Sequence, residues 1–83
     1  MSIIYNKKVN YLVVGVYMIS YEPFYKTLKE KNISTYKLIN QFGISRSLLD
    51  RLKHNKPIST VTLNDLCTFL DCRVEDIVVY IKE

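Results

Sequence analysis

Apolar residues change their spacing twice along this chain, dividing it into a β-patterned start, a helical middle and a β-patterned end. Near the start, Val9, Leu12, Val13, Val14, Val16, Tyr17 and Ile19 are mostly β-branched or aromatic, which reads as a strand with Gly15 marking a bulge. Tyr5-Asn6-Lys7-Lys8 fits a turn that would fold residues 2–5 back on 9–13 as a hairpin. From Met18 the pattern turns helical. Tyr21-Glu22-Pro23 opens a first helix, with Pro23 in the first turn, where its missing N–H does no harm. Phe24, Thr27 and Leu28 form its inner stripe, Lys26, Lys29 and Lys31 face outward, and it ends near Asn32.

Ser34 or Thr35 caps a second helix through Phe42, in which Leu38, Ile39 and Phe42 recur at helical intervals. Gly43 is the turn, expected at positive φ, and Ser45 caps a third helix to about His54 with Ile44, Leu48, Leu49 and Leu52 inward. Asn55-Lys56-Pro57 forms a loop, and Ser59 caps a fourth helix from about Thr60 to Leu70 with Leu63, Leu66, Cys67 and Leu70 inward. Residues 71–76 then lead into a short fifth helix. Ile77-Val-Val-Tyr-Ile81 reads as a closing strand, the natural partner for the strand at the other end of the chain.

Two amphipathic segments joined at Gly43 leave Arg46, Ser47, Asp50, Arg51 and His54 on the outer face of the third helix. The Leu-x3-Phe-Gly-Ile-Ser turn and the closing Leu-Cys-x2-Leu-Asp-Cys-x-Val-x-Asp-Ile segment, in this order among five helices, resemble the phage repressor and Cro type of helix-turn-helix regulator, the Xre family. The resemblance covers about residues 18 to 81. It implies a mainly α, five-helix repressor-like domain at 18–83, with a small β element made by the chain ends and residues 1–17 as a β extension outside the family pattern. One departure is Ile39, where the family usually has a small residue facing the third helix.

The resemblance also implies sequence-specific binding of double-stranded DNA in transcriptional control, in the sense of a repressor, with the helix at about 45–54 in the major groove. Its base-reading positions fall on Arg46 and Ser47, with Arg51 one turn on; an arginine can donate two parallel hydrogen bonds to guanine O6 and N7. Asp50 would accept from cytosine N4 or orient Arg46 and Arg51. Phosphate contacts would come from Thr35, Tyr36, Lys37, Ser45, Lys53, Asn55 and Lys56, helped by the dipole at the start of the second helix.

The charge distribution points the same way. The chain of 83 residues carries a net +4, spread as +4 over residues 1–43, +3 over 44–60 and −3 over 61–83. The acidic end is therefore not the face for a polyanion, and the helix-turn-helix segment is. Length allows one domain with one modest core. Without the resemblance, Arg46, Asp50 and Arg51 would read as a solvated charge cluster, with Asp50 bridging at helical spacing.

Other functions find little support. The one histidine sits at a charged helix end, no glycine-rich phosphate loop occurs and the carboxylates show no paired geometry, so no enzyme is expected. Cys67 and Cys72, five apart, are poor disulfide or zinc spacing and read as small buried thiols in a reducing cytoplasm; neither metal nor cofactor is expected. The apolar run from Tyr11 to Ile19 is nine residues, against roughly 20 needed to span a bilayer, so no membrane partner is expected. No small-molecule ligand is evident. A helix-turn-helix scaffold that serves as a protein-interaction module, antitoxin-like or an assembly factor, is the alternative. The exposed edge of the terminal strands would make a symmetric homodimer, setting two recognition helices toward half-sites about 34 Å apart.

Overall fold

The computed structural model describes residues 18–81. The hairpin and most of the strand expected over residues 1–17 lie outside them. In chain order the elements are strand β1 (Ile19–Ser20), helices α1 (Glu22–Glu30), α2 (Thr35–Phe42), α3 (Arg46–Lys53) and α4 (Thr60–Leu70), a 3-10 turn (Val74–Asp76) and strand β2 (Val79–Tyr80). Two expectations need correcting. The chain is still extended after Met18, and becomes helical only at Glu22. The fifth helix is a single 3-10 turn, so the described residues hold four α-helices.

That turn stops for a visible reason. The Asp76 carboxylate reaches back to accept the Arg73 N–H at 3.0 Å, closing the turn over three residues. Ile77, next in the chain, is fully buried, and the backbone then extends through β-branched Val78 and Val79. The pairing of chain ends is present: β1 and β2 run antiparallel with Ile19 opposite Tyr80 and Ser20 opposite Val79, and the Ile81 N–H donates to the Met18 carbonyl at 2.6 Å.

The core gathers residues from every helix. Phe24, Leu38, Leu52, Leu66, Leu70 and Ile77 are essentially inaccessible, and Tyr21, Leu28 and Ile44 close the cluster. Each fully buried side chain contributes roughly 1.5–3 kcal/mol by leaving water. Phe42 and Leu48, half-buried, pack on this cluster's edge, and Phe42 stacks face to face on Phe69 of α4 with centroids 5.3 Å apart. Ile39, the residue larger than the family's usual one, is half-buried and outside the core cluster, so its extra bulk is accommodated at the periphery.

Helix ends account for much of the chain's course. Ser34, Ser45 and Ser59 cap α2, α3 and α4, each hydroxyl oxygen accepting an N–H three residues on, at 3.1, 3.0 and 3.0 Å. Of the two candidates for α2, Ser34 is the cap and Thr35 the first helical residue. At the other ends, α2 leaves through Gly43 at φ 70, while α1, α3 and α4 leave through Asn32, Asn55 and Asp71, also left-handed. Around these three, the paired bonds Ile33 N–H to Leu28 O, Lys56 N–H to Arg51 O and Cys72 N–H to Cys67 O, at 2.9, 2.8 and 3.0 Å, are Schellman closures.

Candidate nucleic-acid interface

The third helix is amphipathic by sequence and stays so in the fold. Leu52 is buried and Leu48 and Leu49 half-buried, which fixes one face against the core. The other face then has to carry Arg46, Ser47, Asp50, Arg51, Lys53 and His54, all exposed. Four proposed base readers and one proposed phosphate contact are thus brought onto one solvent-facing surface. Ser47, Asp50 and Arg51 share a shallow depression with Lys56 and Pro57 from the loop that follows. Sequence reasoning placed Lys56 near this face but missed Pro57, whose position depends on the closure at Asn55.

The entrance to α3 is set by the Gly43 turn. Apart from Gly43 and its two chain neighbours, nothing lies within 4 Å of where a Cβ on Gly43 would stand, so glycine is favoured there by its backbone conformation and not by lack of space. Ser45 then accepts the Leu48 N–H, while the Arg46 and Ser47 N–H groups ahead of it have no partner within the helix. At the start of α2 the exposed Thr35, Tyr36 and Lys37 stand around a second such helix beginning, with the Ser34 hydroxyl engaged by the Lys37 N–H. The Tyr36 side chain stands exposed, and its backbone carbonyl accepts from the Asn40 side chain at 2.8 Å.

Asp50 does not orient either arginine in the folded chain. Its carboxylate faces His54, one turn on: His54 Nδ1 lies 3.2 Å from Asp50 Oδ1 and 2.9 Å from the Asp50 carbonyl oxygen. Among the described residues it bridges neither Arg46 nor Arg51, which leaves both guanidinium groups without an ion-pair partner there. A guanidinium so placed is available to an external acceptor. His54 is the residue that sequence reasoning left out of the site, although its spacing of four from Asp50 was a usable signal.

Asn55 also has a second task. Its side-chain oxygen accepts the Tyr21 N–H at 3.1 Å, and the Tyr21 hydroxyl donates to the Lys56 carbonyl at 2.7 Å. The loop after α3 is thereby fastened to the beginning of α1, some 34 residues earlier in the chain. Burial of the Tyr21 ring raises its phenol above the usual tyrosine value, so it remains a hydrogen-bond donor across the ordinary pH range.

Comparison with known proteins gives a consistent picture. Residues 25–83 match the sequence family described as the Cro/C1-type HTH DNA-binding domain. Among solved structures, the crystal structure of the transcriptional regulator VanUg is similar over 90% of this chain and 100% of that one, at 25% identity and a TM-score of 0.72. No curated protein matches. No helix among the described residues is long and apolar enough to cross a membrane.

Proposed function

We propose that this chain, which belongs to the Cro/C1-type HTH DNA-binding domain family, is a transcriptional repressor that places α3 in the major groove of a specific site. Arg46 and Arg51 would read guanine edges, with Ser47 beside them, and Asp50 would take a cytosine amino group or hold His54 toward the backbone. Thr35, Tyr36, Lys37, Ser45, Lys53, Asn55 and Lys56 would meet phosphates on either side of the groove. A homodimer would set two such helices toward half-sites about 34 Å apart.

One observation carries this reading over a protein-interaction module. None of the large hydrophobic side chains exposed among the described residues lies on α3, whose open face is polar and carries Arg46, Arg51 and Lys53 without ion-pair partners there. A surface for a protein partner has an apolar centre. A polar, cationic strip suits a polyanion.

The test begins with a binding selection from a random DNA library. On the selected site, Arg46→Ala is expected to cost roughly 1–3 kcal/mol and to relax base choice, while Lys53→Ala weakens all sequences alike and lowers the salt slope by about one unit. An unchanged ratio of matched to scrambled affinity in Arg46→Ala would refute the base-reading role. Sedimentation of the full chain decides the homodimer: a monomer at high micromolar concentration rejects it.

A further inference from the structure

Cys67 and Cys72 differ from the small buried thiols expected of them: both are half-exposed, resting on the edge of the core. They occupy the two ends of the Schellman closure of α4, in which the left-handed Asp71 turns the chain so that the Cys72 N–H meets the Cys67 carbonyl at 3.0 Å. In this motif the side chains of those two positions are brought together. The same closure elsewhere in the fold shows the effect. At the end of α1 the corresponding pair is Leu28 and Ile33, both packed on the same core, and at the end of α3 it is Arg51 and Lys56, which share one surface depression.

We propose that Cys67 and Cys72 are a dithiol modification site, which closes to an intramolecular disulfide on meeting a small disulfide such as oxidised glutathione. Burial, then the neighbouring Cys67 and Asp76, push the Cys72 thiol up to about 11. With its thiolate scarce, Cys72 is assigned the second attack, and the sequence of steps follows. The Cys67 thiolate attacks oxidised glutathione, forming a mixed disulfide and releasing one glutathione thiolate. Cys72, losing its proton to solvent, then attacks the Cys67 sulfur and expels the second. The protein gives up two electrons and two protons, and one molecule of oxidised glutathione takes them to become two of glutathione. The bond would tie the end of α4 to the segment that carries the 3-10 turn and Ile77.

The experiment uses the folded full chain with excess oxidised glutathione at mildly alkaline pH, followed by denaturation, alkylation and mass spectrometry. The expected product has lost two hydrogens, takes up no alkylating agent, retains no glutathione and carries its bond inside the peptide that contains both cysteines. Cys72→Ser, unable to complete the second step, should stop with glutathione held on Cys67. Wild-type protein that accumulates glutathione adducts without closing, keeps both thiols free, or links one chain to another would overturn the proposal.

Discussion

Helices α2, α3 and α4 each begin on a serine that caps them from three residues away, whereas α1 begins on Tyr21 with no side-chain cap of its own. What holds α1 comes from elsewhere. The Phe24 N–H is shared between the Tyr21 and Ile77 carbonyls, the Thr27 hydroxyl donates to the Asp76 carbonyl at 2.7 Å, and Tyr21 is fixed at both its N–H and its phenol by the loop after α3. The helices that bear the proposed DNA contacts are thus specified locally. The helix that supports them is specified by partners far along the chain, the Thr27 hydroxyl reaching 49 residues on and the Phe24 N–H further still, to Ile77. Local specification suits a surface whose side chains can change, because the turns and caps do not depend on them.

The largest effect should come from the non-local side. Phe24→Ala empties the centre of the contact between α1 and the rest and should cost about 3–5 kcal/mol in urea unfolding; a loss under 1 kcal/mol would mean that α1 is not integral to the domain. Next is Gly43→Val, which forces a β-branched residue to positive φ and should cost about 1–3 kcal/mol, with DNA affinity falling in parallel. Gly43→Asn, tolerated in the left-handed region, should keep most of both.

The caps sharpen the contrast. Ser45→Ala and Ser59→Ala should each lose about 1 kcal/mol, yet only Ser45→Ala should also weaken DNA binding, since only that serine borders the proposed interface. Equal losses of binding in the two variants would remove the distinction. Tyr21→Phe, which leaves the Lys56 carbonyl unpaired, should cost about 0.5–1.5 kcal/mol by thermal melting. Smallest of all is Glu75→Ala. The Arg73 and Glu75 side chains pair at 3.0 Å but are 80% and 67% exposed, so the melting temperature should not move measurably.

The same division explains what could be read in advance. Serines at 34, 45 and 59, a glycine at 43 and apolar spacing gave the second to fourth helices and the turn within a residue or so, because each signal acts over three or four positions. The left-handed Asn32, Asn55 and Asp71 were open to the same reasoning, since asparagine and aspartate enter that region more readily than other side chains. The fifth helix failed because burial of Ile77 and the Asp76 cap compete with helical continuation, and neither shows in periodicity. In the candidate site, the exposed face of α3 followed from its leucines. The fastening of Asn55 to Tyr21 joins residues far apart in the chain and leaves no local trace.

That fastening has a consequence for how a duplex would be met. A rod gripped at one end can swing; α3 is gripped at both, by the glycine turn where it begins and by the Tyr21 phenol and amide where its loop leaves. If it docks as proposed, the protein has little angular give, and the adjustment falls to the nucleic acid. Bending or twisting a site costs energy that depends on its base steps, including steps no side chain reaches. Preferred sites should then differ in stiffness as well as in the letters facing Arg46 and Arg51. Loosening the far grip with Tyr21→Phe should make the protein less particular about untouched positions while leaving its choice at touched ones intact.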